Sequence, residues 1–586
     1  MLNKTDYVSK CNDLLKDTNT YKKIGYNPTS GYRKKVATFI KELRKQDVID
    51  DRLMYRLLPD TEPAVPAFYG LPKIHKKEPI PVRPIVSSIG SVTYNIAKYV
   101  AQILGPLVGK TEHHVLNSQD FFEKISSVKI EEGESVESLD VVGLFTCIPP
   151  KDAVDISRSY LEKDNTLDSR TPLSVDQVCD LLALCLNTTY FSFDNKFYLQ
   201  VHGCAMGSPV SPIVVNLYME AFEQRALSEF VGIAPRVWYR YVDDIWNLNK
   251  EDQHDEFFGK VNTLDPNLKF TREKANDQKE LPYLDSLTKA EEDGSVSSKV
   301  YRKPTHTDQY LQFESHHPLV HKLGVIRTLF HRADTIVTEY DDVRQEKAHV
   351  KSALRRCGYP RWSFHNALKV KDKPPAEPSA AATAPGRRQV RINLPYVGGM
   401  SERLRRLFAS FNICASLKPF NQLRGQLVNV KDRMPRDKRS NVVYGYKCPA
   451  ENCNETYIGE TKQAFQSRMA QHRRPAYRDQ LDSAIYKHVS TSGHSFENSD
   501  VQILDKEVRW HERGVKESIY ERIEKPTLTT KLRFNLSHVW DPALRTVSSR
   551  LSEAKLSSQS TQSHPSHQQA DGNSSVSGSA VVQHAS

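Results

Sequence analysis

Apolar residues recur at helical spacing through residues 8 to 60, where Val36, Phe39, Ile40 and Leu43 stand among many lysines and arginines. The spacing predicts a basic helical section over 1–63. From 64 to 312, short β-rich runs alternate with helical stretches, which predicts a mixed α/β body. Over 313–370, Leu319, Val320, Leu323, Ile326, Leu329 and Phe330 fall on one helical face, punctuated by Lys322, Arg327 and Arg332. That pattern predicts a helical region with a basic exposed side. Residues 371–390 are rich in Pro and Ala, from Lys373-Pro374-Pro375 to Pro385-Gly386, and read as a linker. Apolar patterning returns over 391–440, a connecting section, and over 441–545, a second folded unit. The Ser/Gln/His-rich stretch 546–586 cannot bury a core and is expected to be a disordered tail.

The charge balance narrows the partners. A net charge of +11, spread over short clusters such as Lys34-Lys35 and Arg387-Arg388, favours a polyanion. No run approaches the roughly 18 apolar residues needed to span a bilayer, and Met1-Leu2-Asn3-Lys4 opens no apolar signal core, so a soluble intracellular protein without a membrane partner is expected. Nine cysteines at irregular spacing suit a reducing compartment. Only Cys448 and Cys453 stand out as a pair.

Two stretches carry chemistry. Ser138 to Phe145 reads as an apolar strand running into a turn with Asp140 embedded in it, and a buried lone carboxylate is costly without compensation. Trp238 to Trp246 places Asp243 and Asp244 between aromatic and β-branched residues, as at the tip of a hairpin, where like charges repel unless a cation holds them. A bare Asp pair is more often an ordinary turn. Three carboxylates from neighbouring strands, however, supply the hard oxygen ligands that two-metal phosphoryl transfer needs.

Around these residues the chain resembles reverse transcriptases. Tyr241-Val242-Asp243-Asp244 is similar to their central signature, and Asp140 with Phe145 five residues on resembles their first catalytic strand. The resemblance implies Mg²⁺ on Asp140, Asp243 and Asp244, with Phe145 as the gate against a ribose 2′-hydroxyl. It also implies that Met206, Gly207 and Ser208, within Gln200 to Pro212, position template and nucleotide. Phe68 to Lys76 and Pro81 to Ser87 resemble the fingers of Penelope-like retroelement polymerases, implying that Lys73 and Arg83 contact the incoming triphosphate. Leu281 to Asp285 and Val300 to Leu311 resemble that family's late palm and primer grip, with Asp285 structural rather than catalytic. Its thumb would begin at Ser315-His316-His317-Pro318.

The second unit resembles the GIY-YIG endonucleases. Val442-Val443-Tyr444 stands where Gly-Ile-Tyr is usual, and Tyr457-Ile458-Gly459 follows after an insert. The resemblance implies that Tyr444 assists deprotonation of water, Tyr457 positions it or the substrate, Arg468 stabilises the scissile phosphate and Glu517 holds Mg²⁺, although Glu512 and Glu521 leave the register open. Cys448 and Cys453, then His488 and His494, have spacings suited to a structural tetrahedral zinc. Penelope-like nucleases carry such a set, and the order of polymerase before nuclease matches.

The resemblance therefore implies an α/β multidomain protein: a right-hand polymerase of fingers, palm (64–312) and thumb (313–370), and a GIY-YIG domain (441–545). It would nick target DNA and extend the exposed DNA primer on an RNA template, consuming deoxynucleoside triphosphates in the nucleus. The family carries a further segment ahead of the residues that here begin at Met1, which suggests a shortened copy. The rivals are a non-catalytic nucleic-acid-binding derivative of such an element and a telomerase-like polymerase, the latter having no use for the nuclease residues.

Overall fold

The computed structural model describes residues 3–74, 80–369, 390–419, 434–476, 482–529 and 534–548. The chain divides into two compact units, Met1–Arg433 and Met434–Ser586, and both mix α and β structure. Of the expected linker only Val390 lies within the described residues, and of the expected tail only 546–548, which are helical.

The first unit is built on a four-stranded antiparallel sheet of β4 (Glu134–Val141), β7 (Val237–Tyr241), β8 (Asp244–Lys250) and β9 (Phe270–Lys274), in the order β7-β8-β4-β9. Strand alternation sends successive side chains to opposite faces. Leu139, Val141, Trp238 and Ile245 enter a large core with the Tyr94–Leu104 and Ser211–Ser228 helices. Val136, Val237, Trp246 and Leu248 enter a second core with Phe121 and Tyr283. Covering on both faces makes this sheet the rigid centre of the unit.

A five-stranded sheet packs β1 (Tyr21–Ile24), β2 (Ala67–Pro72), β3 (Val82–Ser87), β5 (Tyr190–Phe193) and β6 (Lys196–Gln200) in the order β1-β6-β5-β2-β3. Ahead of it, the Thr29–Lys45 helix buries Val36, Ile40 and Leu43, the spacing read from the sequence. A meander of β10 (Glu280–Tyr283), β11 (Ser286–Ala290) and β12 (Val296–Val300) leads to three helices, Leu319–Ile336, Tyr340–Arg356 and Arg361–Leu368.

These helices enclose Ile326, Leu329, Phe330, Val350, Leu354 and Phe364. Leu319 and Val320, expected on the same apolar face, are instead exposed, because the first turn runs past the end of that core. The basic side differs too. Lys322 lies over the Phe313 ring, Arg327 Nε donates to the Ala367 carbonyl at 3.0 Å, and Arg332 approaches Asp285 at 3.9 Å. Internal partners draw all three inward, whereas Arg344, Lys351 and Arg355 on the following helix are exposed. Further along the chain, β13 (Val390–Pro395) and β14 (Ile413–Lys418) pair in parallel through the Met400–Ser410 helix.

The second unit is a three-stranded antiparallel sheet of β15 (Val442–Lys447), β16 (Thr456–Thr461) and β17 (Val501–Lys506), with β15 in the middle. The helices Phe465–His472, Ala484–Ser492 and Trp510–Glu524 complete it.

Candidate active sites

Three carboxylates converge at one end of the four-stranded sheet. Asp140 on β4 is the direct register partner of Asp244, which opens β8. Asp243 lies with Val242 in the two-residue turn from β7, and its carbonyl accepts the Val141 amide at 3.1 Å. Burial, then the charges of Asp243 and Asp140, push Asp244 up from 3.8 to about 6, against the pull of Lys303 and Arg83. Like charges held this close mark a place for a cation.

The turn is strained and braced. Val242 has a φ of 57°, a left-handed conformation that costs a β-branched residue on the order of 1–3 kcal/mol. The fully buried Arg240 donates from Nη1 to the Val242 carbonyl at 3.1 Å and to Asn216 Oδ1 at 2.8 Å. Its Nε donates to Glu223 Oε1 at 2.7 Å, an oxygen that also accepts Trp238 Nε1 at 2.9 Å. One buried ion pair thus anchors the backbone that presents Asp243 and Asp244.

A cavity of about 440 Å³ opens beside Asp140 and Asp244, walled by Arg272, Tyr283, Tyr301 and Lys303. Phe145 sits in the Leu144–Cys147 turn of helix, and its carbonyl accepts the Cys204 amide at 2.6 Å. Gly203 has φ 78°, and a Cβ there would lie 2.6 Å from the Thr146 backbone. The Met206 carbonyl accepts the Val86 amide at 2.8 Å, Ser88 Oγ donates to the Gly207 carbonyl at 2.8 Å, and a Cβ on Gly207 would strike the Val86 carbonyl. The loop carrying Met206, Gly207 and Ser208 is therefore clamped between the Phe145 turn and β3, the strand of Arg83. Arg83 is exposed, and its charge reaches Asp244.

Lys73 is held through its backbone, its amide donating to the Pro81 carbonyl at 2.9 Å. Among the described residues it makes no hydrogen bond or ion pair with the aspartates, and residues 75–79 of its loop, His75 and Lys76 included, lie outside them. Asp285 accepts Ser118 Oγ at 2.6 Å and faces Arg332, tying the β10–β11 turn to two helices.

In the second unit Tyr444 and Tyr457 lie on adjacent strands with ring centroids 6.2 Å apart. Gly459 leaves room for both rings, since a Cβ there would sit 2.6 Å from the Tyr457 ring and 2.8 Å from the Tyr444 hydroxyl. Arg468 Nε donates to the Tyr444 oxygen at 3.1 Å, and that hydroxyl in turn lies 2.7 Å from His472 Nε2. Burial and the Arg468 charge lower His472 to about 3, so it is neutral, and a neutral imidazole can accept a hydrogen bond from the Tyr444 hydroxyl. Burial raises Tyr444 far above its ordinary value, which keeps this phenol protonated.

Glu517 is buried, and its charge acts on both tyrosines. On the same helix Arg513 donates from Nε to Glu460 Oε2 at 2.5 Å and ties the helix to β16. Glu517 lies one turn on, on the same face. Glu512 pairs instead with Arg509 at 2.5 Å, and Glu521, raised by burial, neighbours Ser518.

Cys448, Cys453, His488 and His494 bring their ligand atoms within 4.8 Å of one another. Cys448 Sγ lies 3.4 Å from both His488 Nε2 and His494 Nδ1, Cys453 Sγ is 3.7 Å from His488 Nε2, and the two nitrogens are 3.3 Å apart. Tetrahedral zinc with ordinary Zn–S and Zn–N bonds separates such donors by roughly 3.3–3.8 Å. The four side chains form a metal site that fits zinc.

The animal helix-turn-helix domain family model matches residues 309–368, the three-helix region of the first unit. Compared with curated proteins, the sequence finds no match. Among solved structures, telomerase from Candida albicans is similar with a TM-score of 0.37 and 11% identity over 52% of this chain and 57% of that one. Telomerase from Candida tropicalis gives 0.34 and 11% over 52% and 55%. The Sicinivirus RNA-dependent RNA polymerase gives 0.30 and 12% over 50% and 63%. The chain thus spans little more than half the length of these telomerases.

Four residues escape sequence reasoning. Lys303 falls in a segment that reads only as a grip, although a lysine beside a strand end is visible there. His472 stands four residues after Arg468, a helical spacing that puts both on one face and could have found it. Arg240 and Glu223 are distant in sequence, and no local pattern announces their pairing.

Proposed function

We propose that the chain is an RNA-directed DNA polymerase of Penelope-like type, coupled to a DNA-nicking GIY-YIG endonuclease, and that it acts in the nucleus by target-primed reverse transcription. The observation that carries the polymerase half is the register pairing of Asp140 with Asp244, beside Asp243, at the mouth of the 440 Å³ cavity. The donors fit hard divalent ions. Mg²⁺ bound there would neutralise the triphosphate and lower the pKa of the primer 3′-hydroxyl.

The protein's own part is positional. Arg240 and Glu223 hold the strained turn, the Met206–Ser208 loop and Phe145 line the nucleotide side, and Arg83 and Lys303 supply positive charge for phosphates. Lys73 is assigned to the triphosphate on resemblance alone. The three-helix region, with Arg344, Lys351 and Arg355 outward, is suited to grip the template-primer duplex through its phosphates.

In the nuclease half, Glu517 would hold a second Mg²⁺. Arg468, positioned by the Tyr444 hydroxyl, would face the scissile phosphate, with Tyr457 beside the water. His472, neutral and bonded to Tyr444, sets the direction of that hydrogen bond. Zinc on the Cys/His set would staple the β15–β16 insert to the end of the Ala484–Ser492 helix.

Extension of a DNA primer on an RNA template, with Mg²⁺ and the four deoxynucleoside triphosphates, tests the first half. Asp243→Asn should abolish incorporation, and equal incorporation by both proteins would sink the claim. Nicking of supercoiled plasmid by Glu517→Ala tests the second half, where undiminished nicking refutes the glutamate's role.

A further inference from the structure

The polymerase reading leaves the basic helical section at the start of the chain unused. There a cavity of about 910 Å³ lies among the Thr29–Lys45, Asp51–Leu57 and Tyr94–Leu104 helices and the chain at Arg170. Arg44, Arg52, Arg56 and Arg170 line it, against Asp47 and Asp50.

The four guanidiniums differ in what they have left to give. Arg44 is neutralised by Asp47 at 2.5 Å and Asp51 at 2.7 Å. Arg170 is neutralised by Asp164 and donates to Thr166 Oγ1 at 2.6 Å. Asp50 accepts the Leu53 amide at 2.7 Å and keeps its charge at the start of that helix. Among the described residues Arg56 has only neutral partners, Gln102 Oε1 at 2.6 Å and the Tyr99 ring, whose centroid is 5.6 Å away. Arg52, one helical turn earlier, makes no hydrogen bond or ion pair among the described residues. Residues four apart on a helix have Cβ atoms about 5–6 Å from each other.

Two guanidiniums with no ion-pair partner among the described residues therefore line one cavity from one helix face, and Arg56 is already held in place by Gln102 and Tyr99. A fixed, planar donor fork suits phosphate oxygens, and paired forks suit a ligand with repeating phosphates. We propose that this cavity, outside the polymerase centre, binds the phosphate backbone of a nucleic-acid strand through Arg52 and Arg56. The assignment rests on the proposed nucleic-acid function of the chain.

The test is fluorescence anisotropy with a labelled single-stranded RNA oligonucleotide, in EDTA and at several salt concentrations, using the full chain and Arg52→Gln/Arg56→Gln. Affinity should fall about tenfold at low salt, and the slope of log K against log salt should shrink by about 1.4, near 0.7 for each phosphate no longer neutralised. Lys22→Gln/Lys23→Gln removes the same charge from exposed positions on β1 and should leave affinity within about twofold and the slope unchanged. Unchanged binding in the arginine variant overturns the site, as does an equal loss in the lysine control. Displacement of the RNA from this cavity by polyglutamate as readily as by unlabelled RNA would assign it to acidic polypeptides and overturn the proposal. Primer extension by the wild type, run alongside, separates the two readings: a protein that binds through these arginines but extends nothing fails only the polymerase claim.

Discussion

Asp244→Asn should stabilise the metal-free protein while abolishing synthesis. The carboxyl sits at about 6 in the folded chain against 3.8 for an unperturbed aspartate. Below the lower value both folded and unfolded states are protonated and the residue costs nothing. As pH rises the unfolded chain ionises first, so the cost to folding grows between about pH 4 and 6 and is complete above that. The gap corresponds to about 3 kcal/mol, and partial solvent access reduces it to roughly 2 kcal/mol. Asparagine keeps the shape and removes the charge, so in EDTA at pH 8 the first unit should melt a few degrees higher than wild type. At pH 4 that advantage should be small. Mg²⁺ should raise the melting temperature of the wild type and leave that of Asp244→Asn nearly unchanged, since the ion relieves the same repulsion. Scanning calorimetry at the two pH values, with and without Mg²⁺, reads all four quantities. A variant no more stable than wild type at pH 8, or equally favoured at pH 4, refutes the inference that three carboxylates are pressed together here.

Arg240→Met leaves Glu223 buried without its partner and should cost about 3–5 kcal/mol by urea unfolding, with primer extension falling further than stability explains because the Val242 turn loses its brace. Gly203→Ala, which forces a Cβ onto the Thr146 backbone, should lower nucleotide incorporation by raising KM for the triphosphate, measured by steady-state extension. Cys448→Ser, or dialysis against a strong zinc chelator, should remove the cooperative melting of a 434–586 fragment that holds one equivalent of zinc when folded, as counted by atomic absorption; a metal-free fragment that melts cooperatively excludes a structural zinc. His472→Gln, which still accepts a hydrogen bond from Tyr444, should retain more plasmid nicking than His472→Ala, with both melting at similar temperatures; equal nicking would show that the hydrogen bond is dispensable.

Much of the layout was legible because it is written in short-range pattern. The aspartates advertise themselves by charge set within β-forming runs, and the turn between β7 and β8 needs only neighbouring residues to form. The Cys/His spacing is likewise local at each end, and the helical face of Val36, Ile40 and Leu43 follows from a period of 3.6. Where reading failed, a long-range partner intervened. Lys322, Arg327 and Arg332 look like an exposed basic stripe until the Phe313 ring, the Ala367 carbonyl and Asp285 are brought to them.

By itself, then, the sequence determined which residue types were present and the local conformations that would carry them, because propensity, alternation and turn chemistry act over a few residues. Only the tertiary structure decided which charges face one another: that Asp140 meets Asp244, that Arg240 spends its charge on Glu223 while Arg52 keeps its own, and that His472 is buried neutral beside Tyr444. Those outcomes turn on desolvation and on distances between residues far apart in the chain, quantities that no local pattern encodes.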